Sequence, residues 1–320
     1  MSRSTISTFQ LFEKFPNEAS AYAYVEKRLW PNGPVCPRCK AVERISKREK
    51  GRPGLYCCNA CQREFTVKIG TIFEDSKVPL HKWIYAMYIV VTARKGVSSL
   101  QLGKEIGITQ KSAWFVLQRL RTACGQNKAV LQGIVEVDET FIGGLERNKH
   151  ANKKLNEGRG AVGKTAVIGM RQRGGDTVAM PIARNDGDTI LGEINKAVAK
   201  GSQVMTDDHR SYSGLNGLDY RHQSVNHSGG EYARGEANTN SIESVWAVLK
   251  RGVHGTFHHV SKKHLDRYVD EFTFRLNAGK VSRHTTERLD SFVDAIAGKR
   301  ITYAQLTKGK TWFDAREITI

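Results

Sequence analysis

No stretch of this chain is long and apolar enough to cross a bilayer. The longest apolar run, Trp83 to Thr92, is about half the length a membrane span needs. The opening residues, MSRSTISTFQLFEKF, also lack the apolar core of an export signal. The expectation is therefore a cytoplasmic protein with no membrane partner. Internal repeats and low-complexity tracts are absent too, which argues against solenoid or disordered architectures. Acidic residues are in short supply, 32 Asp and Glu against 50 Lys and Arg, leaving a net charge of +18. That excess predicts a polyanionic partner, because each phosphate neutralised releases a condensed counterion.

Cysteine is sparse, but four of the six are paired. Cys36-Pro37-Arg38-Cys39 and Cys58-Asn59-Ala60-Cys61 are two Cys-x-x-Cys turns separated by eighteen residues. In a reducing compartment that spacing reads as one structural zinc held by four thiolates. Cys57 adjoins Cys58 and competes with it for the third position. Knuckle symmetry favours Cys58, and Cys124 reads as a small core residue.

Around this ribbon, residues 1–30 read as a helical lead-in, broken at Pro16 and restarted under an Asn17 cap. From Leu80, the spacing of Trp83, Ala86, Met87, Val90 and Val91 predicts a helix with one apolar face. Ser98 to Ile106 reads as a short helix stopped by Gly107, and Thr109 caps another that runs through Trp114, Leu117 and Leu120. Two short helices joined by a glycine turn form a helix-turn-helix pattern, with Gln110, Lys111 and Ser112 placed to face a DNA groove.

Beyond a polar boundary near Gly125–Gly133, strand-like runs alternate with helical ones, predicting an α/β domain. Three acids stand out there. Asp138 lies in the β-branched run Ile134–Phe141, and Asp207 ends the run Gln203–Thr206. Glu243 lies on a helix opening at Asn240, thirty-five residues after Asp207. In-line attack on a phosphodiester uses two divalent ions about 4 Å apart, and Mg²⁺ takes hard carboxylate ligands. Each acid also has a plain structural reading. Glu243 in particular would complete a capping box with Asn240. Glu136 shares a strand face with Asp138 and is a candidate accessory ligand. His254, His258, His259 and His264 read as phosphate or surface contacts rather than a second metal site.

The segments Val137-Asp138-Glu139-Thr140-Phe141-Ile142-Gly143-Gly144, Thr206-Asp207-Asp208-His209-Arg210-Ser211-Tyr212 and Asn238 to Arg251 resemble the DDE transposases of bacterial insertion sequences. The resemblance is to the group with an N-terminal zinc ribbon and an RNase H-like catalytic domain. It extends to Gly70-Thr71-Ile72-Phe73 and to Tyr268–Asn277. It implies catalytic Asp138, Asp207 and Glu243 holding two Mg²⁺ or Mn²⁺ ions, with Asp207 preferred over the adjacent Asp208. Lys250 stands seven residues beyond Glu243, about 10 Å along the same helix face. With Arg251 beside it, the resemblance makes Lys250 a contact to DNA near the scissile phosphate.

The implied enzyme binds double-stranded terminal inverted repeats and target DNA as a homodimer or higher oligomer, in the bacterial nucleoid. A silent DNA-binding derivative and an RNase H-like nuclease are the alternatives. The expected order is lead-in 1–30, ribbon 31–75, helix-turn-helix 76–127, catalytic domain 130–280 and a C-terminal helical tail 281–320. Lys153, Lys154 and Arg159, in the Gly, Asn and Lys-rich insertion at 148–164, are expected to form a mobile phosphate clamp.

Overall fold

The computed structural model describes residues 5–49, 51–125, 129–144, 146–155, 161–225 and 238–308. The chain forms two compact units. The first joins Met1–Gln126 to Ala278–Gly309, and the second is built from Asn127–Asn277.

The first unit starts with α1 (Thr8–Lys14) and α2 (Glu18–Leu29), the second capped by Asn17 as expected, with Ser20 completing a reciprocal box. A three-stranded antiparallel ribbon follows: β1 (Ile45–Lys47), β2 (Tyr56–Cys58) and β3 (Arg63–Phe65). The chain turns through positive φ directly after each second cysteine, at Lys40 and at Gln62, which makes the two knuckles alike. Cys36 and Cys61 bring their sulfurs to 3.8 Å and Cys39 and Cys58 to 3.6 Å, and all four lie within 4.8 Å of one another. A zinc tetrahedron with bonds of about 2.3 Å has sulfur–sulfur edges of about 3.8 Å, so the four thiolates fit one ion. Cys57 is the β2 residue before Cys58 and so faces the other side of the ribbon, which settles the competition in favour of Cys58.

Next come α3 (Leu80–Thr92), α4 (Ser99–Ile106) and α5 (Gln110–Cys124). All five apolar positions expected on α3 are buried. Ser98 and Thr109 cap α4 and α5, and Gly107 ends α4 at φ 66°. Gly103 lets the start of α5 approach, since a Cβ there would lie 3.0 Å from the Ile108 carbonyl oxygen.

The chain returns to this unit through α9 (Thr285–Asp294) and α10 (Tyr303–Lys308). Buried Arg288 donates to the Val91 carbonyl at the end of α3 (2.7 Å), and buried Lys299 donates to the Thr122 and Ala123 carbonyls at the end of α5 (3.0 and 2.7 Å). Lys82 does the same for Ile106 at the end of α4. Cations are thus supplied where helix C-termini leave carbonyls without partners.

The second unit is a mixed sheet of β4 (Ile134–Ile142), β5 (Thr165–Gln172), β6 (Thr177–Pro181), β7 (Gln203–Asp207) and β8 (Arg221–Val225), in the order β6-β5-β4-β7-β8. The β6-β5-β4 half is antiparallel and the β4-β7-β8 half parallel, the mixed RNase H-like arrangement expected. Val135 and Val137 of β4 pack toward α6 (Gly187–Ala197) and the 3₁₀ segment Arg210–Gly217. Ile142 of β4 and Val167 of β5 pack on the opposite face, toward α7 (Asn240–Gly252) and α8 (Leu265–Leu276).

Two expectations follow. Purified protein should carry about one zinc per chain, and Cys39→Ser should lose it and unfold the ribbon while the second unit keeps its unfolding transition. Folded, zinc-free protein by metal analysis would contradict the Cys₄ site. Lys299→Met should destabilise the first unit by about 2 kcal/mol through lost charge-assisted hydrogen bonds, read by denaturant unfolding. An unchanged midpoint would show that the Lys299 cap contributes nothing.

Candidate active site and DNA-reading elements

Side chains alternate across β4, so Glu136 and Asp138 face α7 together. Glu136 is 1% exposed and fully engaged. One oxygen accepts from Arg173 Nε (2.8 Å). The other accepts from the Ser241 backbone N–H (2.8 Å), the Ser241 hydroxyl (2.6 Å) and the Ile242 N–H (3.1 Å). It is therefore the cap of α7 rather than an accessory metal ligand. The Asn240–Glu243 capping box, the plain structural reading of Glu243, does not form. Thr239 is the N-cap residue without a side-chain cap, and Glu136 satisfies the helix start instead.

One pleat further, Asp138 stands directly across from Gly169 of β5. Its Oδ2 accepts from the Trp246 indole N–H at 3.0 Å. The indole lies over Gly169, where a Cβ would come within 2.4 Å of the ring. β4 and β7 run parallel with Glu136 opposite Met205, and two residues on this register sets Asp138 level with Asp207. Burial pushes the Asp138 carboxyl up to about 6, and the charges of Asp207 and Glu243 push the same way. The Glu139 backbone N–H and Trp246 pull against them. Three acids from β4, β7 and α7 thus face one another closely enough to raise the cost of charge on the first. Among the described residues the four cysteines, and not these acids, form the tight ligand cluster.

Asp207 closes β7 and accepts from the His209 N–H at 3.1 Å, whereas Asp208 lies beyond the strand and is exposed. Sequence reasoning passed over Glu139. It is held by the buried Tyr212 hydroxyl at 2.6 Å. Burial pushes it up to about 7 against that hydrogen bond, with Asp138 and Asp207 adding to the rise. Trp246 and Gly169 were also missed. The available signal was that Trp246 follows Glu243 by three residues, on one helix face, while a glycine interrupts the β5 apolar run.

Glu243 is exposed in the first turn of α7, and Thr239 Oγ1 donates to it at 3.1 Å. Lys250 and Arg251 are exposed in the last turn. His254, His258, His259 and His264 join no metal-ligand cluster among the described residues.

Gln110, Lys111 and Ser112 are all exposed at the start of α5. Gln110 donates to Ser99 Oγ (2.8 Å), Ser112 shares a hydrogen bond with Thr109 (2.9 Å), and Lys111 lies 5.1 Å from the Tyr303 ring centre. Lys154 is exposed after a 3₁₀ turn, Ala151–Lys153. Arg159 and the Lys153 side chain fall outside the described residues, so the expected clamp is described only in part. Among the described residues, no helix is long and apolar enough to cross a membrane.

Residues 130–277 match the ISXO2-like transposase domain, and residues 16–64 match the transposase zinc-ribbon domain. A protein of Halobacterium salinarum described as an uncharacterized protein in transposable element ISH50 is 30% identical over 271 residues, covering 82% of this chain and 91% of the relative. An uncharacterized transposase-like protein of Haemophilus influenzae is 30% identical over 105 residues, 33% of this chain and 82% of that protein. A Mos1 strand transfer complex aligns over 59% of this chain and 73% of its own, at 13% identity and a TM-score of 0.21, too loose a likeness to specify anything. The long match to the transposable-element protein, with two domain models side by side, places the chain directly: it belongs to the ISXO2-like transposases of insertion sequences.

Proposed function

We propose that this transposase cuts DNA at the terminal inverted repeats of its element and joins the freed ends to target DNA, using Asp138, Asp207 and Glu243 as metal-holding catalytic acids. The observation that carries this reading is the meeting of acids from three elements: Asp138 on the central strand, Asp207 level with it in the β4–β7 register, and Glu243 in the first turn of the helix that Trp246 ties to Asp138. Burial and the neighbouring carboxylates raise the cost of charge on Asp138, which a cation there would relieve.

Two Mg²⁺ or Mn²⁺ ions held there would activate the attacking oxygen and stabilise the leaving one in successive in-line displacements, first by water and then by the freed 3′-hydroxyl. Asp138, Asp207 and Glu243 would be the residues that hold the ions. Lys250 and Arg251 extend from the last turn of α7 to bind phosphates beside the site. The repeat is read by the ribbon and by α5, through Gln110, Lys111 and Ser112. Lys153, Lys154 and Arg159 add phosphate contacts. Two DNA ends call for two chains, so a homodimer or larger assembly on DNA belongs to this reading.

Asp138→Asn, Asp207→Asn and Glu243→Gln keep shape and change charge. Each should slow Mg²⁺-dependent nicking of a terminal-repeat duplex by orders of magnitude while repeat binding stays near wild type. Asp208→Asn should retain activity. A variant of the three that nicks and joins at the wild-type rate would strip that residue of its role. Nicking by the native chain without any joining would indicate a nuclease instead.

A further inference from the structure

Trp246 makes a contact that packing alone does not require. Its ring is buried in the α7 face of the sheet, yet its one polar atom meets the first acid of the site. An indole N–H only donates, so Trp246 can serve neither as a metal ligand nor as a base. A carboxylate offers about four lone-pair directions. The hydrogen bond at 3.0 Å takes one on Asp138 Oδ2, and beyond it and the Glu139 backbone N–H the carboxylate keeps directions open to cations. The surroundings make this contact specific. Gly169 is the residue paired with Asp138 across the β4–β5 ladder. A Cβ there would meet Trp246 Cη2 at 2.4 Å, Cζ2 at 2.5 Å and Ile242 Cδ1 at 2.9 Å. The missing side chain is thus what lets the indole reach the aspartate. Glu136, two residues before Asp138, fixes the start of the same helix through Ser241 and Ile242. The helix is therefore pinned to β4 at two successive same-face positions, and Glu243 lies between the two pins.

We propose that Trp246 is a positioning residue that orients the Asp138 carboxylate for divalent metal, with Gly169 providing the space it needs. The mechanism is that of outer-shell hydrogen bonds to metal-binding carboxylates in general, whose loss costs about 10–100-fold in metal affinity. The proposal rests on the metal-holding reading of Asp138, and the test separates the two.

The experiment is Mn²⁺ binding to the full-length, zinc-loaded chain, followed by electron paramagnetic resonance. Trp246→Phe removes the donor and keeps a ring over Gly169. Replacing the indole by benzothiophene at the same position removes only the N–H and guards against a packing defect. Both should weaken Mn²⁺ binding about 10–100-fold, with thermal stability and DNA affinity close to wild type. In nicking assays the Mn²⁺ needed for half-maximal rate should rise by the same factor, and saturating Mn²⁺ should restore most of the rate. Ile242→Val disturbs packing beside Gly169 without touching the hydrogen bond, and should leave Mn²⁺ affinity unchanged. Wild-type Mn²⁺ binding by the benzothiophene variant overturns the positioning role. If Asp138→Asn also binds Mn²⁺ as wild type does, the metal reading falls with it. If Asp138→Asn loses binding, the metal reading survives alone.

Discussion

Glu136 carries a carboxylate into the interior beside the central strand, where a charge is costly unless its lone pairs are used. They are used by Arg173 on one oxygen and by Ser241 and Ile242, at the start of α7, on the other. Removing either side would leave buried polar groups without partners, so strand and helix hold each other in place. Because side chains alternate along β4, the next residue on that face is Asp138, which meets α7 at Trp246. The third acid, Glu243, projects from the turn between these anchors. The parallel register with β7 brings Asp207 level with Asp138. The acids are thus assembled by strand periodicity and one helix docking, on rigid elements rather than on loops.

The first unit follows a different economy. Its small ribbon is organised around four thiolates and a cluster of Trp30, Tyr56 and Phe65. Its helices are finished by cations from elsewhere: Lys82 on α4, Arg288 on α3 and Lys299 on α5. Part of the large positive charge is therefore spent inside the protein. Gln110, Lys111 and Ser112 stay exposed at the start of α5. The second unit is inserted between the two chain segments that build this one.

Local chemistry was legible in the sequence. The Asn17, Ser98 and Thr109 caps, the Gly107 stop and the Cys-x-x-Cys knuckles each depend on neighbours a few residues away, and each stands where the sequence put it. The β-branched run Ile134–Phe141, singled out around Asp138, lies in β4, the middle strand of the sheet. What could not be read were contacts across about a hundred residues. Glu136 sits on the same face as Asp138, and a face pattern cannot separate a ligand from a helix cap. The likeness of Asn240-x-x-Glu243 to a capping box could not be weighed from the sequence for the same reason, since the group at the helix start comes from β4. The bond from Trp246 to Asp138, and the return of residues 278–309 to the first unit, likewise depend on the tertiary fold.

The most direct test is a crystal structure of the full chain grown with Mn²⁺, using anomalous scattering to locate the metal. Peaks should appear among the carboxylates of Asp138, Asp207 and Glu243, with Trp246 Nε1 still on Asp138 and Glu136 still closing the start of α7. Manganese bound at Glu136, or an empty space between the three acids with metal bound elsewhere in the unit, would contradict the arrangement.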